Sequence, residues 1–181
     1  MLTLAEVLAG GIMNRTQLFW QSILVVAFAA VGTLFAAQTG DALKIPGDFK
    51  HWYLVHSTLI TKDENKFGLF PGVHLIYVNA TGFDRLKRGG STPYPDGTMF
   101  ADDVRTFSAV EDGSYLEGAD RKAITLMVKD SKKYASTGGW GFQAWAGGDS
   151  TKPIVTDSVK QCYACHVPQK AQDFTFSKFL E

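Results

Sequence analysis

The two cysteines of the chain lie three positions apart and are followed at once by a histidine, in the stretch Cys162-Tyr163-Ala164-Cys165-His166. Two thiols at this spacing can each add to one of the vinyl groups on one edge of a haem. The adjacent imidazole then lies under the iron and can bind it. The C-x-x-C-H pattern therefore predicts one covalently attached c-type haem, with Cys162 and Cys165 as attachment sites and His166 as the proximal iron ligand.

Two other uses of a cysteine pair fit this sequence less well. A thioredoxin-like dithiol begins a helix after a strand in a β-α-β pattern, and no such pattern precedes Cys162. Structural zinc usually takes four ligands, and the chain has no second cysteine pair. We therefore expect a haem rather than a redox disulfide or a zinc ion.

A sixth iron ligand would have to come from a histidine or a methionine elsewhere in the chain. The remaining histidines are His51, His56 and His74. We expect each of them to be an ordinary hydrogen-bonded residue rather than a ligand. Met99 and Met127 could supply a thioether, although methionine in a strand more often fills a core. Met127 is the better candidate, because it alternates with Ile124, Leu126 and Val128 and so lies on the other face of its strand.

Aromatic residues are frequent in the second half of the chain. The main ones are Phe100, Phe107, Trp140, Phe142 and Trp145. Most of them should form ordinary core, and some should line the apolar pocket that a porphyrin needs. We assign Phe100, Trp140 and Phe142 to that pocket. An apolar wall opposite the proximal ligand would leave the iron five-coordinate and open to small diatomic gases.

The elements that must position these residues are mainly strands. Segments rich in β-branched and aromatic residues predict strands at 52–60, 73–78, 98 onward, 121–129 and 140–145. The turn Tyr94-Pro95-Asp96-Gly97 should begin the third of them, because proline fixes φ and glycine accepts a positive φ. The expected fold is a single α+β domain, a mainly antiparallel sheet with a few short helices.

Three short helices are predicted from capping residues. Asn79 should cap the first, which Gly89 and Gly90 end. Asp130-Ser131 offers an N-cap for a second helix that runs through Tyr134. Thr156 or Asp157 can cap the last helix, which runs into the cysteine motif.

The N-terminal segment has a different character from the rest of the chain. Arg15 precedes a long apolar run at 18–37, which is typical of a secretory signal. We expect residues 1–42 to be a cleaved signal peptide or, as the second choice, an uncleaved membrane anchor. Residues 43–181 would then form the haem domain, in the periplasm. The charges balance at 18 basic and 18 acidic residues without a basic stripe, so we expect no nucleic-acid partner.

Five stretches together resemble the cytochrome P-460 / cytochrome c′-beta superfamily of bacterial haem proteins. They are GVHLIYVN at 72–79, YPDGTMF at 94–100, MVKDSKKYASTGGWGF at 127–142, CYACH at 162–166 and DFTFSKF at 173–179. They occur in the family's order and cover the chain from about residue 48 to its end. The resemblance implies a mostly antiparallel β fold, often dimeric, with one c-type haem held by Cys162, Cys165 and His166.

This superfamily contains proteins of two functions. Its cytochrome P-460 members oxidise hydroxylamine with a haem that is cross-linked to a lysine on the strand after the D-G-T turn. Its cytochrome c′-beta members lack the link, have a phenylalanine-lined distal side and bind nitric oxide or carbon monoxide. In this chain Asp102 stands where the lysine is expected, and no lysine follows before Lys122. A carboxylate cannot replace a nucleophilic amine in that reaction.

We therefore expect a c′-beta type cytochrome that binds small gases, transfers electrons to a redox partner protein, or does both. The alternatives are a hydroxylamine oxidoreductase, cross-linked through another residue, and a six-coordinate electron carrier. Three carboxylates are candidates for a polar group in the pocket: Asp102, Asp103 and Asp149. For each of them we expect a solvated surface position instead.

Overall fold

The computed structural model describes residues 42–61, 71–109 and 115–179. Its described part contains one five-stranded antiparallel sheet whose strand order follows the chain, β1-β2-β3-β4-β5. The strands are β1 (Tyr53–Ile60), β2 (Gly72–Val78), β3 (Met99–Ala109), β4 (Tyr115–Lys129) and β5 (Trp140–Ala146). This arrangement, with a few short helices around it, confirms the predicted fold class.

The two faces of the sheet follow from the alternation of side chains along β4. Ile124 and Leu126 are buried in one cluster with Phe49, Ala101 and Trp145. Met127 packs on the other side, against a second cluster of buried residues. That cluster consists of Val55, Val78, Leu86, Tyr94, Phe100, Trp140, Phe142 and Phe174, and Cys162 packs against it. We call the side of the sheet that carries this second cluster the cysteine face.

Helix α1 (Ala80–Arg88) connects β2 to β3 and is capped as predicted. The Asn79 side-chain oxygen accepts a hydrogen bond from the backbone N–H of Gly82 at 3.2 Å and another from that of Met99 at 3.1 Å. The cap therefore joins the helix to the first residue of β3. Gly89, at φ 65°, ends the helix in a backbone region that glycine adopts without strain.

The helix predicted to start after Asp130-Ser131 is not formed. A hydrogen-bonded turn occupies 131–134, followed by a single 3-10 turn at Ala135–Thr137. The Asp130 side chain accepts from the backbone N–H groups of Lys132 and Lys133, so the expected cap exists. Because Gly138 and Gly139 follow at positive φ and lead directly into β5, the connection is too short for further helical turns.

The C-terminal helical segment (residues 159–172) combines three geometries. A π-helical turn at Val159–Tyr163 leads into a short α-helical piece at Ala164–His166 and a 3-10 helix at Val167–Gln172. The Asp157 carboxylate accepts hydrogen bonds from the N–H groups of Val159 and Lys160, as predicted for a cap. The cysteine motif therefore lies on a helix, and its first cysteine is in the π-helical turn, a geometry often found at functional sites.

Within the described ranges, the helices are too short or too polar to cross a bilayer. The apolar run at 18–37 lies outside those ranges. The assignment of residues 1–42 to a signal peptide or anchor therefore stays a prediction.

Candidate haem-binding site

His166 has one ring nitrogen fixed by the backbone. Its Nδ1 lies 2.7 Å from the carbonyl oxygen of Phe174, and because a carbonyl only accepts, Nδ1 carries the proton. Burial lowers the pKa of His166, which outweighs the opposing effect of this hydrogen bond and favours the neutral ring. A neutral imidazole protonated at Nδ1 presents an unprotonated Nε2, the form that binds a metal ion.

Aromatic rings surround this imidazole. The Phe142 ring centre lies 5.1 Å from that of His166, and the Phe176 ring centre lies 5.0 Å from it on an edge-on approach. Tyr163, inside the motif, packs 5.3 Å from Phe174 between ring centres. The ring of His166 is therefore held in place by contacts as well as by the hydrogen bond.

The carbonyl that accepts from His166 belongs to a tightly held turn. Asp173 and Phe174 have φ values of 51° and 63°, and they are the positive-φ residues other than glycine in the described part of the chain. Such a conformation persists only where surrounding contacts enforce it. The Asp173 carboxylate provides them: it accepts from Lys129 Nζ and from the backbone N–H of Tyr94, each at 2.8 Å. Trp140 Nε1 donates to the Asp173 carbonyl at 2.9 Å.

The two thiols are free and not joined to each other. Burial raises the pKa of Cys162 to about 11, and the neighbouring Cys165 adds to that effect. Both cysteines are half-buried, on the segment that also carries His166. Two adjacent thiols and an imidazole with an unprotonated nitrogen, beside an aromatic cluster, are the groups a covalently bound haem requires. The residues therefore fit a haem, and their assignment to it stays a prediction.

Three of the predicted pocket aromatics lie on the cysteine face. Phe100, Trp140 and Phe142 are buried there, and Met127 packs against the same cluster. Met99 packs in the opposite cluster, which argues against it as an iron ligand. Trp145 also lies in that opposite cluster and is core rather than pocket wall.

Asp102 is not a solvated surface residue, contrary to expectation. Its Oδ2 lies 2.7 Å from Nδ1 of His74, and the two side chains are 17% and 8% exposed. Burial raises the pKa of Asp102, and the hydrogen bond from His74 offsets only part of that rise. The expectation failed because the sequence does not show that His74 on β2 lies near Asp102 across the strand pair.

Asp103 also differs from its expected surface position. It is fully buried on the other face of β3 and receives hydrogen bonds from Arg121 and Lys50, with Arg105 close by. Asp149 alone matches the expectation: it lies in an exposed turn and pairs with Lys152 at 3.0 Å. The described hydrogen-bonding and ion-pair partners of these two carboxylates lie outside the cysteine motif.

Two groups important to the site had no assigned role in the sequence analysis. The Lys129–Asp173 pair and the Phe174 carbonyl fix the orientation of His166, although their separation in sequence hides the contact. The signal available in the sequence was Lys129 itself, a charged residue on an otherwise apolar strand.

The sheet packs a cysteine pair and an oriented histidine against an aromatic face, and these are the groups that a haem-binding protein of the c type uses. The chain belongs to the cytochrome P460 family, whose model, described as Cytochrome P460, matches residues 46–177. This membership implies a haem cofactor and confirms the resemblance. A search of curated proteins gave no match.

Proposed function

We propose that this protein is an exported mono-haem c-type cytochrome of the c′-beta kind, which binds nitric oxide or carbon monoxide at an open iron position. Cys162 and Cys165 would hold the haem, and His166 would bind the iron through Nε2. The haem, when bound, supplies a redox-active iron that can also bind a diatomic gas. The protein's part is to orient His166, exclude water with its aromatic face and leave the other side of the iron open.

One position in β3 carries this proposal. It is the position where hydroxylamine-oxidising members of the family are expected to have the cross-linking lysine. Asp102 occupies it, and its carboxyl group is hydrogen-bonded to His74. Lys129 is a buried lysine on the cysteine face, but its ammonium group is held by Asp173 and by the Gly138 carbonyl at 3.0 Å. Neither residue offers a free amine, so gas binding is favoured over hydroxylamine oxidation.

Absorption spectra of the holoprotein test this proposal directly. We expect the ferric and ferrous forms to be high-spin, and the ferrous Soret band to shift when carbon monoxide is added. A strongly red-shifted ferrous Soret band would show a modified ring and support hydroxylamine oxidation instead. Intact mass equal to polypeptide plus haem, with no further loss of hydrogen, is the matching control.

A second candidate is a six-coordinate electron carrier, because Met127 packs against the cluster that also contacts Cys162. Its thioether could then bind the iron and close the open position. A low-spin spectrum that does not respond to carbon monoxide, and that becomes high-spin in Met127→Ala, would establish this function. An unchanged high-spin spectrum in Met127→Ala would exclude Met127 as a ligand.

A further inference from the structure

Two polar side chains lie in one row across three strands on the cysteine face, with an isoleucine between them. Asp102 on β3 is paired with Ile76 on β2, and Ile76 is paired with His56 on β1. Asp102 lies two residues from Phe100, so both side chains project from the same face of β3. This row is therefore next to the aromatic cluster that packs against Cys162.

Two atoms of this row lack hydrogen-bond partners. Asp102 Oδ1 and His56 Nδ1 are buried and make no hydrogen bond within the part of the chain that the structure describes. The other carboxyl oxygen of Asp102 is engaged by His74. Buried polar atoms are nearly always paired, because leaving one unpaired loses its hydration without compensation. An unpaired carboxyl oxygen next to this aromatic cluster thus indicates a partner that binds there.

We propose that Asp102, oriented by His74, donates a hydrogen bond from Oδ1 to a small anion bound at the haem iron. This inference rests on the proposed function, since it needs an iron position that ligands can reach. The ligand class is an anion with a hydrogen-bond-accepting atom next to the metal, such as fluoride, hydroxide or nitrite. Carbon monoxide is a weak acceptor and gains little from such a donor.

The protonation states of the neighbouring groups agree with this role. In this proposal His74 Nδ1–H donates to Oδ2, and the proton of Asp102 lies on Oδ1, the oxygen without a partner. Burial raises the pKa of Asp102, and this outweighs the lowering by His74 and by the backbone N–H of Leu75; the nearby Asp103 on the opposite face raises it further. The groups next to it on the cysteine face are His56 on β1, His74 on β2 and the uncharged Thr125 on β4. The carboxyl group therefore keeps its proton to higher pH than an exposed aspartate.

Fluoride binding to the ferric holoprotein is the probe. In Asp102→Leu, which has no donor, we expect fluoride to bind about tenfold more weakly, the usual effect of losing one hydrogen bond at a buried site. The charge-transfer band of the fluoride complex should shift as well, because it responds to hydrogen bonding at the fluoride. Carbon monoxide affinity of the ferrous form should change by less than about twofold. Asp149→Asn, which removes an exposed carboxylate, should leave both values unchanged.

Asp102→Asn keeps the shape of the side chain and tests the proton itself. Its amide can donate at any pH, so the variant should retain most of the fluoride affinity. As the pH is raised, wild type should begin to lose fluoride affinity at a lower pH than this variant does. The reason is that an ionised Asp102 cannot donate a hydrogen bond and repels a nearby anion. Identical pH profiles for the two proteins would overturn the inference.

The failures of the two proposals differ. Wild-type protein that carries haem but binds no carbon monoxide contradicts the proposed function. If wild type binds carbon monoxide and Asp102→Leu binds both carbon monoxide and fluoride as wild type does, gas binding stands and the role of Asp102 is wrong.

Discussion

Asp173 connects three segments of the chain next to His166. Its carboxylate accepts from Lys129 on β4 and from the N–H of Tyr94, and its own carbonyl accepts from Trp140. The next carbonyl along the chain holds His166. The position of His166, the proposed iron ligand, therefore depends on a buried ion pair in which the two side chains are only 5% and 8% exposed.

Replacing Asp173 with Asn should destabilise the protein by about 3 kcal/mol, since it leaves the buried Lys129 ammonium without a counter-charge. Urea unfolding, followed by circular dichroism, measures this loss. The haem reduction potential should shift in the same variant, because the hydrogen bond to His166 loses its fixed acceptor. Asp149→Asn is the matched control, and this exposed substitution should change the stability much less. An Asp173→Asn variant as stable as wild type would show that the ion pair does not hold the turn.

The ionisation of Asp103 should contribute to the loss of stability in acid. Burial alone would raise its pKa, but the hydrogen bonds from Arg121 and Lys50 lower the pKa to about 2, against an ordinary value of 3.8. A carboxylate with a lowered pKa stabilises the fold above its unfolded pKa, and this stabilisation is lost as the pH falls from 3.8 to about 2.

In Asp103→Asn the acid-dependent part of the stability should shrink in that window, while stability at neutral pH falls. Unfolding free energies of wild type and the variant, measured at pH 7, 4 and 2.5, would show both changes. Equal pH dependence in wild type and the variant would contradict the assignment.

At the scale of elements, the sequence predicted the features that depend on residues close together in the chain. The alternation on β4, the Asn79 cap, the turn before β3 and the Asp157 cap depend on neighbouring residues, and all are present. The π-helical turn at Val159–Tyr163 was not predictable, because its residues have no period that separates it from an α-helix. The partners of Asp102 and Asp103 were missed for another reason: strand pairing brings them together, and register does not follow from composition.

The Asn79 cap tests the coupling between α1 and β3. Asn79→Ala removes a cap, worth about 1 kcal/mol, and also the bonds to Met99 and Gly97. We therefore expect a loss of about 2 kcal/mol in unfolding free energy, at the upper end for a helix cap. Asn79→Asp, which keeps the accepting oxygen, should recover most of that loss. A cost of a few tenths of a kcal/mol for Asn79→Ala would indicate that the helix is held by packing alone.

At the scale of the whole molecule, one side of the sheet carries the proposed haem site and the other carries a buried ion cluster. The cysteine face carries the aromatic cluster and the His74–Asp102 pair, whereas the opposite face carries the Asp103 ion cluster. Variants on the opposite face should therefore change stability more than ligand binding. For Asp103→Asn we expect carbon monoxide affinity within about twofold of wild type, measured at neutral pH on protein with full haem content. A larger change would show that the two faces are coupled.

The strand order has a consequence for how the protein is made. Each strand pairs with the strand next to it in sequence, which keeps the sequence separation of paired residues small and favours rapid folding. Synthesis proceeds from the N-terminus, and the cysteine motif follows all five strands. Pairing of the strands can thus precede the arrival of the thiols. A Cys162→Ser, Cys165→Ser double variant, produced without haem, should keep the far-ultraviolet circular dichroism of a β-sheet, and a coil spectrum would mean that cofactor attachment drives folding.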